Sequence, residues 1–328
     1  MEVGLGTCPY FDSKVMEKSY IVRQVRQINE WSELFAEVEH PHLVQSWPYG
    51  EAKKSTGWSP RRLVIERGGE PVALCQVLDE RLLGIRFASR ISRGPLLLRC
   101  DEPDIEGIYR ALRQGWRYLI GGLLLIAPAL IDEQDQWQPL QAAGFRRWRQ
   151  NGWSSAYLDL RLTELELRKN LSSKWRNHLG VSERRGLELL ISSAPEAVAW
   201  IIGQHVTHMQ QKGFKGPGPD LLQALYRAAQ EDFIVFQACL NGTPVGGVAV
   251  FRFGHTAEYY LGWSGPEGRK ANAGNFLVWN AAIEMQRRGC RYFDLGSYSK
   301  AAAGGYSEFK QAMNGVEYCL LGEWFSLW

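Results

Sequence analysis

Short runs of apolar residues alternating with polar ones mark strands over 21–26, 63–67, 72–78 and 83–88. The middle pair flanks Gly68-Gly69-Glu70, a hairpin signal. Helical spacing predicts helices over 29–39, with Asn29 as N-cap, over about 46–54, and over 104–119. The longest apolar run, Tyr118 to Ile131, contains Pro128 and is too short to span a bilayer. It reads as a helix end, a turn at Gly121-Gly122 and a buried strand over 123–127. A further helix runs to Ala143 and closes on Gly144.

The second half repeats this plan. Helices are expected over 171–185, 195–211 and 219–231. Strands over 233–240 and 245–253 flank Asn241-Gly242, a strong hairpin signal, and 258–263 continues the meander. A helix over 273–288, a strand over 292–295 and a short helix ending at Asn314-Gly315 follow. Each half thus runs hairpin, strand, long helix, buried strand and short helix closed by glycine, an order that reads as an internal duplication. Mixed sheets with crossover helices make the class α/β or α+β, with a boundary near Gly152 and an aromatic final strand returning to a sheet.

At 328 residues the chain has room for two domains. Its net charge of +3 excludes a bulk nucleic-acid binder, but basic residues cluster around tryptophans at Arg147-Trp148-Arg149 and Lys174-Trp175-Arg176. The six cysteines are scattered without a CxxC, which points to reduced core thiols and a cytosolic protein. The first twenty residues lack an apolar signal segment. Neither His205 and His208 nor His40 and His42 have acidic or cysteine partners at ligand spacing, so no metal site is expected. No GxSxG or Walker-type loop occurs.

The stretch from Gly289 to Gly315 carries the most chemistry. A strand ends at Asp294-Leu295-Gly296, a loop of small residues follows, and a helix presents Phe309-Lys310. Such a loop exposes backbone, and a lysine beside it aims one positive charge at something anionic or carbonyl-bearing. Asp294 reads equally as an acid or base and as a cap of the following loop.

Several pieces, in order and spacing, carry a resemblance. They are Val44-Gln45-Ser46-Trp47 with Lys53 a turn or two later, Arg93-Gly94-Pro95, Ala127-Pro128 and Gly144-Phe145. Ser173-Lys174-Trp175-Arg176-Asn177, Tyr259-Tyr260-Leu261-Gly262, Phe293-Asp294-Leu295-Gly296 and Phe309-Lys310 complete the set. Together they resemble the Fem-type (FemABX) peptidyltransferases, which build the interpeptide bridges of bacterial peptidoglycan from aminoacyl-tRNA. The resemblance implies two tandem domains of the GCN5-related acetyltransferase (GNAT) fold, over 1–152 and 153–315, with a C-terminal strand over 316–328 completing the first. Only two ordinary helices separate Arg185 from Phe233, which implies the compact form without a coiled-coil arm.

The resemblance also assigns roles. Lys310, with Phe309, becomes catalytic, its ammonium stabilising the oxyanion formed when an amine attacks an aminoacyl ester. To take the amine's proton itself, Lys310 needs a value well below its usual one of about 10.4. Lys53 (or its neighbour Lys54) and Arg176 would bind the diphosphate of a cell-wall precursor, with Lys174, Arg184 and Arg185 as further charges on the same helix. Tyr259 or Tyr260, Ser297 and Tyr298 would meet the acceptor. Tyr259 and Trp263 are expected on one strand face and Tyr260 on the other. Arg269 and Lys270 would contact the tRNA-borne donor. The RxxGxG/A spacing of an acetyl-CoA site is absent from 265–274, so no cofactor is expected and aminoacyl-tRNA is the co-substrate. The expected acceptor is the amine of a UDP- or lipid-linked muropeptide, the expected state a monomer, and the expected location the cytoplasm, with Arg146–Arg149 as a peripheral membrane contact if the acceptor is lipid-linked. A CoA-dependent N-acyltransferase, a tRNA-dependent enzyme acting on a natural-product amine, and a non-catalytic binding module are the rival readings.

Overall fold

The computed structural model describes residues 19–82, 85–98, 103–116, 122–133, 136–297 and 305–327. The first half runs β1 (Tyr20–Val25), α1 (Ile28–Glu37), α2 (Trp47–Lys54), β2 (Ser59–Arg67), β3 (Glu70–Leu82), β4 (Ile85–Ser92), β5 (Leu96–Leu97), α3 (Ile105–Trp116), β6 (Leu123–Ala127), α4 (Gln138–Ala142) and β7 (Arg146–Arg149). The second runs β8 (Ser154–Asp159), α5 (Glu164–Asn170), α6 (Ser173–Glu183), β9 (Glu188–Ser192), α7 (Pro195–Lys212), α8 (Pro219–Ala229), β10 (Phe233–Leu240), β11 (Thr243–Phe253), β12 (Thr256–Ser264), α9 (Pro266–Lys270), α10 (Ala273–Arg287), β13 (Tyr292–Asp294), α11 (Gly305–Gln311), β14 (Val316–Cys319) and β15 (Glu323–Ser326).

Local chemistry sets many of these boundaries. Gly68-Gly69 and Asn241-Gly242 all take positive φ, and each pair forms the two-residue loop of a hairpin, closing Arg67 on Glu70 and Leu240 on Thr243. Ser46 caps α2 by accepting a bond from the Tyr49 amide, and Ser172 caps α6 through Trp175. Helix α1 starts one residue before the expected cap, since Gln27 rather than Asn29 holds the N-cap position.

Two mixed sheets result. The first has the order β1-β2-β3-β4-β6-β15-β7 and the second β14-β8-β13-β12-β11-β10-β9. In each, an antiparallel meander (β2-β3-β4 or β10-β11-β12) is followed by a helix, α3 or α10, and a strand parallel to the meander's last member. The expected duplication is therefore visible in the topology. The two sheets also share a closing device. Strand β15 inserts between β6 and β7, and β8 inserts between β13 and β14. The segment expected as one strand over 316–328 is thus divided. Val316–Cys319 pairs with β8 in the second sheet, and only Glu323–Ser326 returns to the first.

Helices α7 and α8 contact each other; α7 packs on β12 of the second sheet and α8 on α2 of the first half, so neither forms a projecting arm. A continuous apolar core joins the halves, with Val25, Trp31 and Phe35 from the first and Ile201, Leu222, Leu225 and Phe251 from the second. The segment Arg146–Arg149 is the exposed edge strand β7, where Arg147 lies 3.7 Å from Asp132 and Arg149 3.6 Å from Glu323. Cys75, Cys239 and Cys290 are buried free thiols. Among the described residues no helix is long and apolar enough to cross a membrane.

Candidate functional site: a cleft between the two sheets

A cleft of about 930 Å³ opens between the halves. Its walls come from the end of β4 (Arg90, Ser92, Arg93), the crossing segment Asn151–Trp153, the α7–α8 connection, strand β12 and the return Leu320–Glu323. Its floor is the point where the second sheet splits. Strand β12 pairs with β13 only from Thr256 to Glu258 and then continues to Ser264 paired with β11 alone, while β13 stops at Asp294. Gly296 follows with φ +70, and a Cβ there would stand 2.5 Å from the Tyr259 carbonyl oxygen, so only glycine fits.

Lys310 reaches this split from α11. Its side chain is almost fully buried, with 1% of the residue exposed. Nζ donates to the Ser297 carbonyl at 3.0 Å and lies over the rings of Tyr306 (4.2 Å) and Tyr259 (5.1 Å). Burial drives its pKa down from 10.5 to about 7, against the opposing pull of Asp294 and Glu258.

Asp294 is fully engaged. Oδ1 accepts from Ser155 Oγ at 2.6 Å and from the Gly296 amide at 2.7 Å, and Oδ2 accepts from the Tyr318 hydroxyl. Of the two readings offered by the sequence, the geometry matches the cap. Glu258, its register partner on β12, is 3% exposed. Burial raises its pKa to about 7, Arg93 opposing and Asp294 adding to the rise. Arg93 arrives from the other sheet. It has φ +50, stacks on Trp153 at 4.0 Å, and brings Nη1 to 3.7 Å from Glu258.

The motif Val44-Gln45-Ser46-Trp47 braces this wall. Gln45 is buried, donates to the Ser92 carbonyl at 2.7 Å and accepts from the Gln76 amide at 2.6 Å. Trp47 lies under the Arg62 guanidinium at 3.5 Å.

Tyr259 and Tyr260 both line the cleft. Simple alternation would allow only one. The register shifts between Ala249 and Val250, so that Val250 faces Tyr259 and Ala249 faces Leu261, leaving Tyr260 as the extra residue of a bulge. The bulge also reverses the phase beyond it. Trp263 joins the core between the halves with Leu261, on the side opposite Tyr259, which packs in the second domain's own core. The expectation that Tyr259 and Trp263 share a face is corrected by this inserted residue.

The other expected site residues are dispersed. Ser297 lines the cleft and Tyr298 lies outside the described residues. Phe309 packs against Trp175 at 5.7 Å, supporting the helix of Lys310 from behind. Lys53 is half-buried over Trp58 at 5.5 Å, its pKa lowered by burial and by the nearby charge of Arg90 from the cleft wall. Lys54 turns away to Glu51. Arg176 donates to the carbonyls of Lys169 and Leu171, tying α6 to the end of α5. Lys174 is exposed on the same helix, whereas Arg184 and Arg185, expected on it, are exposed in the turn that follows its end at Glu183. Arg269 and Lys270 are exposed on α9, outside the cleft lining, and Arg269 donates to the Ser264 carbonyl at 2.6 Å. Cleft residues that sequence reasoning did not assign are Arg93, Glu258, His205, His208 and Phe214. The two histidines meet the Phe214 ring edge to face, and His205 Nε2 lies 3.2 Å from the Pro217 carbonyl.

Residues 166–311 match the family model of the acetyltransferase (GNAT) domain. No curated protein sequence matches the chain. Among solved structures it resembles FemX, with a TM-score of 0.80, 16% identity, and coverage of 94% of this chain and 97% of that one. A tandem GNAT protein from the clavulanic acid biosynthesis pathway gives a TM-score of 0.54 at 12% identity, covering 94% and 98% of the two chains. The C-terminal domain of a putative lysylphosphatidylglycerol synthetase from Agrobacterium fabrum also gives 0.54, at 13% identity, covering 92% and 93%. The chain therefore has a tandem GNAT fold, and within that class its fold is of the Fem type.

Proposed function

We propose that the protein is an aminoacyltransferase that forms an amide bond between the ester of an aminoacyl-tRNA and an amine of a peptidoglycan precursor peptide. The observation that carries this reading is Lys310, buried at the split of the second sheet and facing a cleft large enough for a peptide-sized acceptor. Its Nζ has a carbonyl and two aromatic faces for neighbours, an arrangement that retains a donor able to meet an oxyanion. An aminoacyl ester already carries an adequate leaving group, so no covalent enzyme intermediate is required. The cleft tyrosines, Ser297 and the Trp153 wall would hold the acceptor, and Lys53 with Arg90 would face its phosphates at the rim.

Coenzyme A is the poorer donor. Residues 265–274, where this fold would cradle a pyrophosphate, form the compact turn of α9. There the amides of Arg269, Ala271 and Asn272 are already bonded to backbone carbonyls, as are those of Asn275 and Phe276 in the first turn of α10 that follows. Arg269 and Lys270 remain as exposed charges for the tRNA. Charged tRNA also assigns the reaction to the cytoplasm. The test is Lys310→Ala. Transfer from charged tRNA at the wild-type rate by this variant would remove Lys310 from the mechanism.

A further inference from the structure

A buried hydrogen-bond donor ordinarily finds an acceptor. Of the buried side-chain donors without one among the described residues, only Arg93 Nη1 and Trp153 Nε1 belong to residues that line the cleft. The two form one unit. The Arg93 guanidinium stacks on the Trp153 ring at 4.0 Å, and its ion contact with Glu258, at 3.7 Å, is too long for a hydrogen bond. The backbone fixes this unit in place. Arg93 is 7% exposed and has φ +50, a conformation uncommon for a residue with a side chain. Its neighbours are tied on both sides, Gln45 donating to the Ser92 carbonyl at 2.7 Å and the Gly94 amide to the Ala127 carbonyl at 3.2 Å. An uncommon conformation held from both sides points to a task for the side chain it presents.

We propose that Arg93 and Trp153 form a carboxylate-binding subsite that anchors the acceptor peptide beside Lys310. The proposal rests on the acyl-transfer reading of the cleft. A guanidinium N–H and an indole N–H side by side match the two oxygens of one carboxylate, and the guanidinium supplies the opposite charge. A phosphate dianion is the poorer match, because Glu258 faces Arg93 and Asp294 is its register partner on the same floor. The aminoacyl group of a charged tRNA is esterified and has no free carboxylate, so the bound group belongs to the acceptor. A muramyl peptide offers two such groups, the α-carboxylate of its γ-linked glutamate and the carboxylate of its C-terminal residue.

The subsite adjoins the reacting centre. Arg93 and Lys310 both act on the charge of Glu258, so the two cations flank one small part of the floor. Glu258 gives way when a carboxylate arrives. Burial already raises its pKa to about 7, and a second negative charge beside it raises that value further. It then takes a proton from solvent and becomes neutral, which leaves the guanidinium to the ligand.

The experiment is calorimetric binding without a donor, so it needs no turnover. It compares a lysine-containing muramyl pentapeptide with two forms of it, one amidated at the glutamate α-carboxylate and one at the C-terminus. One amidation is expected to weaken binding about 10²-fold and the other to leave it unchanged, which identifies the group bound. Arg93→Gln should weaken the parent peptide by a similar factor and bind acid and amide alike. Trp153→Phe keeps a ring beneath the guanidinium and removes only the N–H, so it should shrink the difference between acid and amide about tenfold. Should Arg93→Gln fail to fold, Trp153→Phe decides. Equal binding of all three peptides by the wild type, or a difference that persists undiminished in the variants, would overturn the subsite. A wild type that prefers the acid and yet transfers nothing from charged tRNA would overturn the acyl-transfer reading alone.

Discussion

Replacing Lys310 by methionine should stabilise the fold at neutral pH while abolishing transfer. The ammonium is taken from a pKa of 10.5 to about 7, chiefly by burial. At about 1.4 kcal/mol for each tenfold change in proton affinity, that difference is a destabilisation of about 5 kcal/mol at neutral pH. Methionine removes it and fills nearly the same volume. Against this, the Ser297 carbonyl loses its donor, at about 1–3 kcal/mol, and Glu258 and Asp294 lose a neighbouring cation. A net gain of about 1–3 kcal/mol remains. The sign with pH is fixed by the direction of the shift. A lysine whose folded value is depressed contributes stability present above its unfolded value and lost as pH falls through its folded one. The wild type should therefore recover about 3 kcal/mol relative to Lys310→Met between about pH 7 and about pH 9, erasing the variant's advantage. Urea unfolding at the two pH values, followed by tryptophan fluorescence, measures this directly. A gap that stays constant with pH would refute the reasoning, as would a variant less stable than wild type at neutral pH.

Four further outcomes follow from the same geometry. The rate of transfer should fall as pH rises past about 7, where Lys310 loses its proton; a rate still climbing well above that range would contradict its role. Gly262→Ala should cost about 1–3 kcal/mol and much of the activity, because the added Cβ would stand 1.9 Å from the Tyr259 hydroxyl and push that ring from beneath Lys310; thermal melting and turnover check it. Asp294→Ala should destabilise by about 3 kcal/mol or more, since Ser155, Tyr318 and the Gly296 amide all lose their acceptor; a melting temperature unchanged from wild type would exclude that network. Lys53→Ala should raise KM for a UDP-linked acceptor with kcat unchanged, whereas Arg176→Ala, which breaks the α5–α6 tie, should lower stability and leave that KM alone; steady-state kinetics separate the two.

Much of the architecture was legible because its signals are local. Two-residue turns marked both central hairpins, and the strand at Leu123–Ala127 stood out as an apolar run. What escaped has physical reasons. Strand β7 is an edge with every side chain exposed, so it carries no apolar alternation. The exchange of β8 and β15 between equivalent places depends on pairing across the whole chain, which no window of residues encodes. Helix α5 carries a capping box, Thr163 to Glu166, but at seven residues it is too short to show a long apolar face.

The site was legible in part. Lys310 could be reached from its neighbours, but the pairing of Tyr259 and Tyr260 on one cleft arises from a bulge that sequence alternation conceals. Glu258 had a signal in the chain: a lone acid inside an otherwise uncharged strand, flanked by Ala257 and Tyr259. Its meaning emerged only when Arg93, from far along the chain, was found facing it. Arg176, a phosphate ligand by what the resemblance implies, is occupied with carbonyls, which the motif alone does not disclose.

The most direct test of the central claim is to incubate the protein with total charged tRNA, acetyl-CoA and a lysine-containing muramyl pentapeptide together, and to read the products by mass spectrometry. Aminoacyl transfer predicts the peptide increased by the mass of one amino acid residue, a product lost on prior ribonuclease treatment and lost with Lys310→Ala. A peptide carrying an acetyl group instead, or an aminoacylated product that survives ribonuclease treatment, would contradict it.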